Sequence, residues 1–196
     1  MSVTAPKPAE VQFDRAYPWA VKSVRQSQLL QAWLEQRHCL GGGTLPALAD
    51  FQTISGYPNQ AELTIYDVVR DHAMPRYRVA KEGSQFRTAF ATSGHGRFLD
   101  EVIPQAVWYG TQPNFDACVG EALPIYCELA AFAIAEQNVI YERLLLPFGQ
   151  GTSEVKRIVS SLKTTSWTNV EAPLASLRGG APKYSFRAVI GHDDSR

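Results

Sequence analysis

Tyr141-Glu142-Arg143-Leu144-Leu145-Leu146-Pro147-Phe148 runs into Gly149-Gln150-Gly151 and then into a second apolar stretch, residues 155–167, that ends at Trp167. Two β-rich runs separated by glycines read as two strands joined by a turn. Side chains alternate across a strand, so Arg143 and Leu144 point to opposite faces. Residues 125–135 read as a preceding strand by length and composition, and Glu136-Gln137-Asn138 as the hairpin loop that joins it to the quoted one. Three strands in succession make the floor of an antiparallel sheet.

Working outward toward the N-terminus, Asn114 opens a helix with Phe115, Cys118, Val119 and Ala122 on one side, and Pro124 limits it. Val107-Trp108-Tyr109-Gly110 reads as an aromatic loop. Residues 97–103 give a short helix with Leu99, Val102 and Ile103 as its apolar side, and Ser84 caps another that carries Phe86 and Phe90 one turn apart. Two further strands are expected over residues 63–69 and 76–80. In the second, Tyr77 and Val79 share one face and Arg76 and Arg78 the other. Ser27 precedes Leu29, Leu30, Trp33 and Leu34, whose spacing makes one apolar stripe on a helix that faces either the core or a partner helix. Arg37 and His38 lie near its end, where positive charge is favoured, and Gly41-Gly42-Gly43 stops it before a loop with Leu45-Pro46 and Asp50.

The expected fold is therefore α+β, a five-stranded antiparallel sheet with helices packed on one face, over residues 26–168. Residues 1–25 read as an N-terminal arm whose Phe13, Tyr17 and Trp19 dock on this chain or on a second copy. Residues 169–196 read as a C-terminal tail marked by Pro173, Gly179-Gly180 and Pro182, in which residues 184–190 add an edge strand.

Composition narrows the function classes. Hydrophobic residues make up 45% and aromatic residues 11% of 196, enough to bury a core. The 19 basic and 19 acidic residues cancel and form no block of one sign, which speaks against a nucleic-acid binder that must neutralise phosphates. No apolar run approaches the roughly 20 residues of a membrane span. Met1 to Glu10 contains Pro6 and Pro8 and no apolar stretch, so a secretory signal is not expected and the chain reads as cytoplasmic. Cys39, Cys118 and Cys127 are odd in number and dispersed, as reduced and packed thiols would be.

Trp33 with Arg37, Leu45-Pro46 and Asp50, Arg76-Tyr77-Arg78, Gly96-Arg97 with Leu99, Glu142-Arg143 with Leu144-Leu145-Leu146-Pro147, and Val155 with Ile158 occur in that order. Together with the succession of two strands, short helices, one longer helix and three strands, they make residues 29–167 resemble a PAS domain, and within that fold the proteobacterial stand-alone PAS family. The resemblance implies a non-enzymatic sensory or signalling module that binds a small molecule, a partner protein or both.

The candidate chemistry is sparse. His38, His72, His95 and His192 form no zinc spacing. His95 offers a single axial haem ligand at most, and no motif supports haem or flavin. Cys127 on its strand faces a cavity or lies inert in the core, with no base near it in sequence. Arg143 is either a surface charge or an anion contact at the cavity, because a guanidinium grips a carboxylate bidentately. Arg97, after Gly96 at a helix start, has the same two readings. Trp108 and Tyr109 line a pocket, form an interface or pack the core. No output domain is recognisable, so a signal would leave by protein contact, and a homodimer through Leu29, Leu30, Trp33 and Leu34 is the specific expectation. A small enzyme using His95 or Cys127 and a ligand-free adaptor are the alternatives.

Overall fold

The computed structural model describes residues 11–52, 62–71, 74–132, 138–165 and 182–191. Its strands are β1 (Asp14–Ala16), β2 (Thr64–Val69), β3 (Arg76–Lys81), β4 (Ile125–Phe132), β5 (Asn138–Phe148), β6 (Arg157–Thr165) and β7 (Lys183–Ile190). They form one open sheet in the order β1-β7-β4-β5-β6-β2-β3. The helices are α1 (Val24–Cys39), α2 (Leu48–Gln52), α3 (Ser84–Phe90), α4 (Leu99–Val102) and α5 (Gln105–Glu121). No described helix is long and apolar enough to cross a membrane.

The five-stranded expectation is corrected to seven strands, and the antiparallel sheet to a mixed one. β7 is no edge: it pairs antiparallel with β4 and parallel with β1, which places Asp14 opposite Ala188 and Ala16 opposite Ile190. Two segments assigned to an arm and a tail thus both enter the sheet. β1 escaped notice because its three residues carry no periodicity; the strand expected over residues 184–190 is present, but its place between β4 and β1 shows only in three dimensions.

Helices on one face is also corrected. The antiparallel registers put Thr64, Tyr66, Ser160, Leu162, Arg143 and Cys127 on one face of the sheet and Glu142, Leu144, Ser161 and Lys163 on the other. α3, α4 and α5 cover the first face. α1 covers the second: Gln26 Nε2 donates to the carbonyls of Glu142 and Ser161 at 3.2 and 3.1 Å. Leu29, Leu30, Trp33 and Leu34 are between 0 and 8% exposed in the single chain, so the protein's own sheet occupies the stripe expected at a dimer seam. The N-cap of α1 is Ser23, one turn earlier than Ser27, and its side chain accepts from the Gln26 amide.

The aromatic loop is helix: α5 starts at Gln105, runs through Trp108 and Tyr109 and carries Pro113 inside it. Proline is disfavoured in a helix interior because it has no N–H to donate and crowds the preceding turn, so the sequence pattern breaks there while packing on the sheet carries the helix through. Asp50 lies in α2, and Gly83, with no side-chain cap bond, precedes α3 in place of the expected Ser84. The hairpin loop at residues 136–138 lies largely outside the described residues. The β5–β6 turn needs its glycines: Gly151 has a φ of 73°, and a Cβ on Gly149 would come within 2.7 Å of the Thr152 carbonyl oxygen.

Pro147 sits inside β5 without breaking the ladder. β4 stops pairing at the Ile125–Leu145 step, so one side of β5 is vacant at Pro147. In an antiparallel strand a residue's N and C=O point to the same side. The missing N–H therefore deprives no neighbour, and the Pro147 carbonyl accepts instead from Trp33 Nε1 at 2.7 Å. Trp33→Phe removes that donor and leaves a buried carbonyl unpaired. The expected loss is about 1–3 kcal/mol, read as a lower urea midpoint at unchanged slope; an unchanged midpoint would show that the bond contributes nothing.

Candidate functional site

On the face covered by α3–α5, the sheet and the helices frame a partly open cavity of about 30 Å³. Its sheet wall is polar where strand alternation predicts apolar side chains: Thr64, Tyr66, Ser160 and Arg143 point inward from β2, β6 and β5, and Thr111 joins them from α5. The first three and Thr111 are each 4–6% exposed. The helix wall is apolar, with Phe86 and Phe90 of α3 and Leu99, Ile103, Val107 and Phe115 beyond them. Glu62 and Gln85 stand at one end, where Arg25 Nη1 donates to both Glu62 carboxylate oxygens at 3.1 Å.

Arg143 is the only cation among the residues lining this cavity. Its Nη1 is closed off from solvent and meets no acceptor, and no ion pair of Arg143 occurs among the described residues. Gln85 Oε1, from α3, is a second buried atom without a partner among the residues lining the cavity. Burial pushes the Tyr66 phenol up to about 12, while the Arg143 charge and the hydroxyls of Thr64 and Ser160 pull the other way. Tyr66 is thus a neutral hydroxyl at any physiological pH, able to donate or accept. A buried donor without an acceptor costs free energy.

The register brings Cys127 opposite Arg143, on the same face. Burial pushes the Cys127 thiol up to about 11, against the opposing pull of Arg143 and Arg187, so it stays protonated and is a poor nucleophile. Beyond it, Asn114 Nδ2 donates to the Tyr184 hydroxyl at 3.0 Å, and the Arg187 guanidinium lies over the Tyr184 ring at 3.6 Å. Arg187 Nη2 donates to the Gly110 carbonyl at 2.9 Å.

The other sequence-level candidates stand elsewhere. Trp108 is half-buried against Tyr77 and Phe115 rather than in the cavity wall. Tyr109 is 64% exposed, and its hydroxyl accepts from Gln105 at 2.6 Å. His95 and Arg97 are exposed in the turn that follows α3, held along β3 by the Gly96 amide on the Val79 carbonyl and the Val79 amide on the Arg97 carbonyl. Glu82 clamps this turn by accepting from Ser93 Oγ, the Gly94 amide and the His95 amide. No group of three or more His, Cys, Asp or Glu among the described residues is placed to hold a metal; His72 and His192 lie outside them. Of the residues singled out from sequence, the structure unites Arg143 with Cys127 and parts both from His95, Arg97 and Tyr109. Sequence reading missed Thr64, Tyr66, Ser160, Thr111 and Gln85. A signal for the strand residues existed, since Thr64 and Ser160 fall on positions whose neighbours two apart, Tyr66 and Ile158, face inward.

Two consequences are measurable. Arg143 is half-buried, with Nη1 closed off and no counter-charge, and replacing such a partly desolvated charge by an apolar side chain of similar length costs little or stabilises. Arg143→Met is therefore expected to melt at or above the wild-type temperature, and a substantial fall would mean that Arg143 holds the fold together. Desolvation raises the Glu82 carboxyl, but the hydrogen bonds from Ser93, His95 and Gly94 and the Arg87 charge outweigh it, and the net direction is down. Such a group stabilises the fold above its ordinary value and loses that contribution as pH falls through the lowered one. The melting-temperature gap between wild type and Glu82→Gln should be wide near about pH 6 and narrow near about pH 3.5; a gap that stays constant would remove the clamp from the account.

Comparison of the chain with protein-family models, with curated proteins and with solved structures found no significant match.

Proposed function

We propose that this chain is a non-enzymatic, PAS-type sensory or signalling module that takes a small molecule into the cavity under α3–α5 and signals by protein contact. The single observation that carries the reading is the polar sheet wall under an apolar helical cover, with Arg143 unpaired upon it. A core selected for stability alone has no use for an uncompensated guanidinium. The succession β2, β3, short helices, α5, then β4, β5 and β6 supports the PAS-type reading, with β7 and β1 as additions to one side of the sheet. For the outgoing contact, the stacked rings of Tyr17 and Trp19, 42 and 74% exposed, give the N-terminal segment an aromatic face of the kind interfaces favour. A cytoplasmic location is part of the reading, in keeping with three free cysteines. An enzyme built on Cys127 gains little from a thiol that burial holds protonated.

Native mass spectrometry of the purified protein, with its absorption spectrum, tests the proposal. The expected result is an added small-molecule mass per chain that is lost on denaturation. A bare polypeptide mass, with no small molecule raising the melting temperature, would overturn the sensor reading in favour of a ligand-free adaptor. An activity abolished by Cys127→Ser or His95→Ala in a folded protein would overturn it in favour of an enzyme.

A further inference from the structure

Within the sensor reading, on which this rests, the geometry points to a short-chain monocarboxylate, of the size of acetate or propionate, as the ligand class of the Arg143 cavity. The charge selects the class. Arg143 is the one cation on the wall, its Nη1 has no acceptor, and the fork of a guanidinium matches the two oxygens of a carboxylate. A phosphate dianion would bring more charge than this wall can neutralise. The hydroxyls of Tyr66, Thr64, Ser160 and Thr111 supply further donors for the carboxylate oxygens that face away from Arg143. Opposite the head, Phe86, Val107 and Phe115 leave nothing polar for the rest of the ligand, which is therefore alkyl and neutral.

The size follows from the volume. A cavity of about 30 Å³ holds the equivalent of roughly two water molecules. That is room for the carboxylate head, and because the pocket is open at its mouth the one or two carbons of a short tail extend into the opening; a flavin or a haem requires far more. An adjoining groove of about 190 Å³ shares Glu62, Gln85 and Leu162 with the cavity. Glu62 sits on this shared wall with its charge engaged by Arg25, which keeps a second anion from competing for Arg143.

The test is a titration of isotope-labelled full-length protein followed by amide NMR shifts, using sodium propionate, the neutral isostere propionamide, and inorganic phosphate, with sodium chloride as the ionic control. Propionate is expected to saturate with a dissociation constant on the order of 0.1–1 mM, as so few ligand atoms permit, and to move the amides of Phe86, Ala89, Val107 and Phe115. Propionamide should bind at least tenfold more weakly. Arg143→Met should lose propionate binding by a similar factor while keeping a folded spectrum, and Arg143→Lys, which keeps the charge but not the fork, should fall between. Propionamide or phosphate binding as well as propionate in wild type would overturn the carboxylate class without any variant, and wild-type affinity in Arg143→Met would overturn the role of the guanidinium. A different small molecule found by mass spectrometry, with no propionate binding, would overturn this inference and leave the sensor reading standing. Neither a native ligand nor propionate binding would overturn both.

Discussion

The alternation of side chains along β5 is the constraint on which the rest of the structure depends. β5 is hydrogen-bonded to β4 on one side and β6 on the other, so its pleat cannot slip without moving a whole face. Consecutive residues Glu142 and Arg143 are thereby sent to opposite faces and cannot neutralise each other. On one face the Glu142 carboxylate is 4% exposed and accepts from the Ser23 amide at 3.0 Å and the Tyr126 hydroxyl at 3.1 Å. That ties the start of α1 to the middle of the sheet. On the other face Arg143 shares the cavity lining with the hydroxyls of Thr64, Tyr66 and Ser160 and forms no ion pair among the described residues. One buried charge is used to place a helix, and its sequence neighbour is left without a counter-charge over a cavity.

What the sequence revealed follows the range of the signal. β2 to β6, α3, α4 and the second half of α5 were legible because alternation, 3.6-residue spacing and glycine or proline punctuation are local properties; the first half of α5 was not, because Pro113 interrupts the pattern. The full width of the sheet was not: a strand over residues 184–190 was legible, but its insertion between β4 and β1, and β1 itself, are recognised only by pairing. The side of the sheet taken by α1 was not legible either: an apolar stripe of Leu29, Leu30, Trp33 and Leu34 looks the same against a partner helix as against this chain's own β5. Trp33 decides it, since its indole finds the carbonyl that Pro147 exposes where β4 has ended.

The candidate site was legible only by half, and for a related reason. Arg143 and Cys127 could be singled out as polar or reactive residues on predicted strands. Thr64, Ser160 and Thr111 look ordinary in sequence, because a small hydroxyl residue suits either a solvated or a buried face. Their meaning comes from register, which sets Thr64 beside Ser160 and Leu145 beside Ser160 on the same inward face as Arg143. His95 and Arg97 misled in the opposite sense, because glycine-flanked charge near a helix start suits an exposed turn as well as a ligand site, and Glu82 binds that turn through its backbone.

The cavity also has an uneven wall, and this bears on how occupancy would be felt. The sheet side is anchored by strands paired on both flanks, and α5 lines the cavity from three successive turns through Val107, Thr111 and Phe115. α3 is one short helix of 7 residues, without a side-chain bond at its N-cap, and it ends on Ala91 in the left-handed conformation at a φ of 52°. A non-glycine residue there costs about 1 kcal/mol, and short elements with few buried contacts open at the lowest free energy in a fold. Phe86 and Phe90, whose rings pack on each other at 5.0 Å between centroids, are the contribution of α3 to the wall. An occupant larger than the cavity therefore displaces α3 before it displaces the sheet. The Glu82 clamp lies immediately before α3 and holds the turn immediately after it, so any shift of the helix would be resisted at the exposed turn of His95 and along β3.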